Sequence, residues 1–597
     1  MGASRVAALR DELARQGLDG FVVPRADEHQ GEYVAGYAER LFWLTGFSGS
    51  AGLAIVLDRT AAIFVDGRYT LQVREQVDQA VFEPRHVTEE PASKWLRANA
   101  AAGARIGFDP WLHTPDQVRQ LRNACAAAGA ELVATDGNPV DSIWLDQPPP
   151  PAAGVVVHPL QYAGDAAAEK IAEVQSDLKE AGEDAVVLTL PDSIAWLFNI
   201  RGNDIPHVPV ALAFAIVPAN GRPALHIDPA KLHDAERAYL DGFADLREPE
   251  AFEEDLRSIA QDGWRIRIDP ATAAHRIKVI LEDAGCTVTS GADPCVLRKA
   301  RKNAFEIAGC HAAHKRDGVA LARFLAWFEK ESPKGRLDEI GVAKELELFR
   351  TETGKLKDVA FPSISGVGPH SAIPHYKVSY KTSRKLVAGM LYLIDSGAQY
   401  LDGTTDITRT LAVGEPSTEM RERFTRVLKG HIAIATARFP AGTTGGQIDI
   451  LARLPLWEIG LDFDHGTGHG VGSYLSVHEG PQRISKAAFN VPLEPGMILS
   501  NEPGYYKDGE YGIRIENLIL VRAEGEPAKG GRQMLGFETL TMAPIDLTLV
   551  VTALMTGTEV DWLNAYHARV LEEVGPRLKE PDREWLANAT RPLKKRR

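Results

Sequence analysis

LYLIDSGAQYLDGTTDITR, Leu391 to Arg409, is the stretch that decides the fold. Two apolar, β-prone runs flank the turn-forming Asp402-Gly403-Thr404, so it predicts a β-hairpin. Asp395 falls on the first strand and Asp406 on the second. An unpaired carboxylate inside a buried strand is costly. One buried Asp commonly finds a hydrogen bond or an arginine. Two that face each other across a hairpin raise the question of a metal.

Further candidates lie downstream: His469 in HGTGHGVG, Glu502 in SNEPGYY and Glu516 in GIRIEN. Asp395, Asp406, His469, Glu502 and Glu516 follow one another at intervals of 11, 63, 33 and 14 residues. Four carboxylates and one imidazole form a hard, oxygen-rich set, suited to Mn²⁺ or a similar divalent ion rather than a thiophilic metal. Without metal they would repel one another and raise each other's pKa values. Two divalent cations balance the four negative charges and leave room for a bridging hydroxide, so a two-metal hydrolytic site is the expectation.

The rest of the composition is that of an ordinary globular protein. At 597 residues the chain is too long for one core and predicts three or four domains. Its net charge of −14 argues against nucleic acid as a partner. The basic end, Arg591 to Arg597, reads as a solvated tail. No apolar run reaches the length of a membrane helix, so no membrane partner is expected. The charged start, MGASRVAALRDELARQ, does not read as a secretory signal. Cys125, Cys286, Cys295 and Cys310 show neither metal-ligand spacing nor a disulfide framework, which fits a cytoplasmic setting.

Val6, Leu9 and Leu13 recur at helical spacing and Gly17 is placed to stop that helix, ahead of a buried strand in GLDGFVV. The first region, 1–150, alternates helices and strands and ends in Pro148-Pro149-Pro150-Pro151, an extended linker signal. The second, 151–300, echoes it. GEDAVVL, from Gly182, repeats GLDGFVV, from Gly17, and Trp196 to Gly202 repeats Trp43 to Gly49 as W-L-x-x-[FI]-x-G. Two echoes in the same order predict duplicated α/β domains.

A third region, 301–530, opens on a helix in which Val319, Leu321, Phe324, Leu325 and Phe328 outweigh Gly318. Two more amphipathic helices separate the ligand segments, the second carrying Ile448, Leu451 and Leu454 before Pro455. The candidate ligands fall on strands over 391–399, 405–413, 497–502 and 511–521, which predicts an antiparallel α+β sheet backed by helices. A tail, 531–597, contains GFETLTMAPIDLTLV and a helical DWLNAYHARVLEEV.

Taken together these motifs resemble the long, three-domain form of Xaa-Pro aminopeptidase (aminopeptidase P), of peptidase family M24. The resemblance spans FSGSAG and VDGRY, AWLFNIRGNDI, IDSGAQYLDGTTDITRT, HGTGHGVGSYLSVHEGP, EPGYY, GIRIEN and GFETLTMAPI. It implies two creatinase-type N-terminal α/β domains, a pita-bread catalytic domain with a C-terminal extension packed on it, two Mn²⁺ ions and a homodimer. It implies Asp395, Asp406, His469, Glu502 and Glu516 as the metal ligands, Asp406 and Glu516 bridging. Three further histidines match its motifs: His375 in AIPHYK, His465 opening HGTGHG and His478 in VHEG. They are candidates for binding substrate and the tetrahedral oxyanion, His465 for shaping the proline pocket. Pro374 before His375 departs from the pattern, where a non-proline residue is commoner. Arg514, two residues before Glu516, is expected to orient the ligand carboxylates.

The implied activity is hydrolysis of the Xaa-Pro bond of peptides with proline in second position, with Glu502 relaying a proton. Prolidase, acting on Xaa-Pro dipeptides, is the alternative. A metal-free pita-bread peptide-binding module is a distant one, against which the intact ligand set argues.

Overall fold

The computed structural model describes residues 2–259, 263–487, 491–525 and 530–594. The chain divides into two compact units, residues 1–160 with 165–296, and 161–164 with 297–597.

The first unit holds two six-stranded sheets. In the first sheet the spatial order is Glu83–His86, Ala61–Val65, Leu53–Leu57, Gly20–Pro24, Arg105–Phe108, Glu131–Ala134. In the second it is Asp245–Arg247, Ala224–His226, Phe214–Pro218, Ala185–Leu188, Arg265–Ile268, Thr287–Ser290. From edge to edge, both sheets pair parallel, antiparallel, antiparallel, parallel, parallel. One topology twice over is what the GLDGFVV and GEDAVVL echo predicts. In each copy a helix with buried apolar residues (Val6, Leu9, Leu13; Ile171, Val174, Leu178) precedes the central strand. Gly17 and Gly182, at φ +67° and +64°, turn the chain out of that helix in the left-handed region, where a side chain would be strained. The WLTG and WLFN segments both lie at helices, Arg40–Thr45 and Pro191–Leu197.

The second unit is built on the hairpin. Its strands, Met390–Tyr400 and Gly403–Val413, pair from Met390↔Val413 to Tyr400↔Gly403 around a Leu401-Asp402 turn. Both strands are almost wholly buried. Helix Ala304–Glu331, started by a capping box between Asn303 and Glu306, covers one face. Its Phe324 and Phe328 join Tyr392, Ile394 and Ile407 in one apolar cluster. Each such buried side chain contributes about 1.5–3 kcal/mol of transfer free energy. Gly318 has a packing reason: a Cβ there would lie 2.5 Å from the carbonyl oxygen of Met542. A second, six-stranded sheet runs Phe439–Pro440, Met534–Thr539, Asn517–Glu524, Ile498–Asn501, Gly468–Gly470, Glu479–Ile484. Strand Met534–Thr539 thus builds the expected tail into the sheet, and helix Gly557–Val574 follows it.

Two expectations need correction. The strand expected over 511–521 is two strands, Tyr511–Arg514 and Asn517–Glu524, broken at Ile515-Glu516. The first pairs with Gly504–Lys507 and the second with Ile498–Asn501, so the chain changes sheets between them. The turn expected over Asp402-Gly403-Thr404 is Leu401-Asp402, because Gly403 and Thr404 already pair in the ladder, and helix Gly445–Trp457 runs on through Pro455. The carbonyl of Pro455, in the last turn where helix carbonyls have no intrahelical donor, accepts from Arg426 at 2.9 Å. Of the basic end, residues 595–597 lie outside the described residues.

Candidate metal centre

The hairpin register places Asp395 opposite Thr408 and Asp406 opposite Gly397. The two aspartates are therefore diagonal neighbours on one face of the pair rather than directly opposed. Gly397 leaves no side chain opposite Asp406; a Cβ there would meet the Thr405 carbonyl at 2.4 Å. His469 arrives from strand Gly468–Gly470 and Glu502 from the end of strand Ile498–Asn501. Glu516 sits at the break where the chain changes sheets, and its N–H donates to the Thr408 carbonyl at 3.2 Å. The break thereby turns a strand end toward the hairpin.

Asp406, His469 and Glu516 each offer a ligand atom within 4.8 Å of the others. Nε2 of His469 lies 3.5 Å from Asp406 Oδ2 and 3.7 Å from Glu502 Oε1. Nδ1 of the same ring is 2.9 Å from the Gly470 carbonyl, which can only accept. Nδ1 therefore carries a proton and Nε2 is the atom turned to the carboxylates. The Asp395 carboxylate belongs to the same group through Arg514, whose Nη2 donates to its Oδ2 at 2.6 Å. The Oδ1 atoms of Asp395 and Asp406 are buried without any hydrogen-bond partner.

Electrostatics show the cost of this arrangement. Burial pushes the Asp395 carboxyl up to about 6, opposed by Arg514 and reinforced by Asp406. Burial likewise pushes Glu502 up to about 7, with His469 opposing. Glu516 is pushed well above the usual range by burial and by the charges of Asp406 and Asp395. Burial alone would lower the His469 imidazole; the bond to Asp406 and the charge of Glu502 outweigh it and hold it at about 9. Protein groups alone hold Asp395, Glu502 and Glu516 above the usual carboxylate range and leave two buried oxygens unsatisfied. Divalent cations relieve both faults, and the donors, oxygen with one imidazole nitrogen, suit them. The residues present fit a metal centre.

A chain of hydrogen bonds with a single consistent polarity holds the cluster. Arg514 donates to Asp395, to the Thr408 hydroxyl through Nε at 3.1 Å and to the Tyr506 hydroxyl through Nη1 at 2.6 Å. Thr408 passes its own proton to Glu516 Oε2 at 2.7 Å. Tyr506, already accepting from Arg514, donates to Nε2 of His465 at 2.7 Å, while Nδ1 of His465 donates to the Gly466 carbonyl at 2.8 Å. His478 meets the His469 ring edge-on, with centroids 4.3 Å apart. His375 is half-buried and follows Pro374, whose carbonyl accepts from Arg514 at 3.1 Å. Behind the site, fully buried Arg409 donates to the carbonyls of Glu516, Ala543 and Pro544, and to Asn517 Oδ1.

Comparison with known proteins agrees with this geometry along the whole chain. Residues 308–523 match metallopeptidase family M24, and 533–593 match the C-terminal region of peptidase M24. Residues 5–143 and 146–306 each match the creatinase/prolidase N-terminal domain. Aminopeptidase P2 of Arabidopsis thaliana is 41% identical over 97% of this chain and 86% of its own length. The chain belongs to the aminopeptidase P family. Aminopeptidase P1 of Lotus japonicus, a second relative in the aminopeptidase P family, is 38% identical over 98% of this chain and 99% of its own. A solved structure covers 99% of this chain and 100% of its own at TM-score 0.94 and 35% identity. It is X-prolyl aminopeptidase from Caenorhabditis elegans, described as a cytosolic enzyme with a di-nuclear active site. The fold class is thus two creatinase-type N-terminal α/β domains followed by the M24 pita-bread catalytic domain. Among the described residues no helix is long and apolar enough to cross a membrane.

Reading the sequence as an aminopeptidase P did not find Thr408 or Tyr506 as parts of the site. Tyr506 lies in the quoted EPGYY, and its neighbour Tyr505 is chemically identical, so only the fold separates them. Thr408 is one of three threonines within TTDIT, and its partner Glu516 is 108 residues away. Trp562 and Tyr566, four residues apart on helix Gly557–Val574, stack at 5.4 Å, and Tyr566 also accepts from Arg409 at 3.1 Å.

Proposed function

We propose that the chain is a metal-dependent Xaa-Pro aminopeptidase that releases the first residue of peptides with proline in second position. The observation that carries this reading is the buried cluster of Asp406, His469 and Glu516, with orphaned carboxylate oxygens beside it, in a full-length relative of aminopeptidases P. Asp395, Asp406, His469, Glu502 and Glu516 would hold two divalent ions, Mn²⁺ by resemblance. When bound, such ions supply a nucleophilic hydroxide near neutral pH and polarise the scissile carbonyl.

The residues then divide the work. A bond to proline has no N–H, so recognition falls on the flanking groups. Glu502 accepts a proton from the attacking water and returns it to the prolyl nitrogen. Arg514 and Thr408 orient Asp395 and Glu516 through the bonds described. His465, hydrogen-bonded to Tyr506, borders the proline side of the cleft. His375 and His478 donate to the peptide carbonyl and the oxyanion that develops from it. In our reading the chain divides at 1–150, 151–300, 301–530 and 531–597, works as a cytoplasmic homodimer, and takes free peptides as its partners.

The test is hydrolysis of Arg-Pro-Pro, Arg-Ala-Ala and the dipeptide Ala-Pro by chelator-stripped and Mn²⁺-restored protein. Arginine release from Arg-Pro-Pro alone, lost with chelator and regained with Mn²⁺, is the expected result. Preferred cleavage of Ala-Pro would move the assignment to prolidase, and no turnover with no metal bound would end the enzyme reading.

A further inference from the structure

Directly behind the two aspartates lies a buried ion pair that the reaction itself does not use. Asp317, on helix Ala304–Glu331, and Arg350, on helix Glu339–Thr351, are 2% and 1% exposed. They meet in a fork: Arg350 Nε donates to Asp317 Oδ1 at 2.9 Å and Nη2 to Oδ2 at 3.0 Å. The pair does not close on itself. Nη2 of Arg350 also reaches the Ser396 carbonyl at 3.4 Å, and Nη1 the Gly397 carbonyl at 3.3 Å. On the acid side, Asp317 Oδ1 accepts from the Tyr400 hydroxyl at 2.9 Å and Oδ2 from the Thr405 hydroxyl at 3.1 Å. Thr405 Oγ1 in turn accepts the Ala398 N–H at 3.1 Å.

The gripped residues are distributed in a telling way. Ser396 and Gly397 immediately follow Asp395, and Thr405 immediately precedes Asp406. Gly397 is also the residue paired with Asp406. One ion pair therefore holds both strands of the hairpin at the positions next to the two aspartates. A planar guanidinium and a carboxylate, each with more than one partner, fix distances where a single hydrogen bond would leave a hinge. The pair is an unneeded expense if its purpose is only to fill space, because apolar side chains of similar volume serve that purpose at least as well.

We propose that Asp317 and Arg350 are positioning residues that set the separation of Asp395 and Asp406 for metal binding. This rests on the metal-centre reading above. Metal affinity is then a property of two helices that carry none of the ligands. Partners beyond the ligands themselves commonly change metal affinity by about 10- to 100-fold when removed.

The experiment measures Mn²⁺ affinity and stoichiometry of the full chain by chelator competition, with thermal melts to fix the folded fraction. The variants are Arg350→Lys, Thr405→Val and, as control, Arg316→Met. Arg350→Lys keeps the charge and loses the fork. Thr405→Val removes the grip beside Asp406 and leaves the ion pair in place, so it carries the test where Arg350→Lys fails to fold. Arg316 pairs with Asp402 at the hairpin turn at 2.8 Å, away from both aspartates, and reports on loosening of the hairpin in general. The expected result is about 10-fold or greater loss of Mn²⁺ affinity in the first two variants and little change in the third. At saturating Mn²⁺ part of kcat returns, with KM for the peptide unmoved. Wild-type affinity in folded Thr405→Val and Arg350→Lys, or equal loss in Arg316→Met, would overturn the inference and leave the metal centre standing. A wild-type protein that binds no Mn²⁺ would overturn both.

Discussion

Removing the metal should make the catalytic unit lose stability as pH rises, and the geometry fixes the sign. Asp395 is raised from 3.8 to about 6 and Glu502 from 4.5 to about 7 in the metal-free fold. A carboxyl whose folded pKa lies above its unfolded value binds more protons folded than unfolded between the two values. Its stabilising contribution is complete below the unfolded pKa and is lost as pH rises through the folded one. The window is therefore about pH 4 to about pH 7, and a shift of about two units corresponds to about 3 kcal/mol. For a cooperative unit of this size that is a fall in Tm of roughly 6 °C. His469, raised from 6.5 to about 9, adds a loss in the same direction that begins near pH 6.5 and runs on to about pH 9. With cations bound the carboxylates are ionised and paired, and the slope should flatten. The assay is calorimetric melting of chelator-stripped and Mn²⁺-loaded protein from about pH 5 to about pH 8, with Asp395→Asn as the variant that removes one titrating group. Titration of Mn²⁺ in buffers of different ionisation enthalpy at about pH 6 should also register proton release, since raised carboxyls and His469 surrender protons to bind. Parallel melting curves for stripped and loaded protein, together with metal binding that releases no protons, would refute the reasoning.

Glu502→Gln keeps the shape and removes the proton acceptor; kcat on Arg-Pro-Pro should fall by about 10²- to 10⁴-fold in steady-state assays at saturating Mn²⁺. Arg409→Met leaves the carbonyls of Glu516 and Pro544 without their donor, while Ala543 keeps its bond from the Tyr566 hydroxyl, and urea unfolding should show a loss on the order of 3 kcal/mol. Gly318→Ala forces a Cβ against the Met542 carbonyl, placed 2.5 Å away, and should cost about 1–3 kcal/mol by the same measurement; an unchanged urea midpoint would show that the helix and the 540s segment do not pack this closely.

Much of this protein was legible along the chain because the signals are local. Two apolar, β-prone runs around Asp402-Gly403 specify the hairpin, and the carboxylates stand out because burying them is costly. Duplication shows as repeated short strings, since each copy must close the same sheet around the same apolar positions. Tertiary structure decided what depends on contacts between distant segments. Continuous β-propensity through YGIRIENLILV hides the sheet change at Ile515-Glu516, because propensity records a residue's preference for extended backbone and not its strand partner. Which tyrosine of Tyr505-Tyr506 reaches Arg514, and which threonine of TTDIT reaches Glu516, is set by register and strand parity. The same holds for Asp317 and Arg350. In sequence they are an unremarked acid and base 33 residues apart on two helices, and only folding desolvates them behind the hairpin that carries Asp395 and Asp406. The sequence alone determined the kinds of side chain available to the site; long-range packing decided which of them meet, because a hydrogen bond depends on distances of a few ångströms that no spacing along the chain encodes.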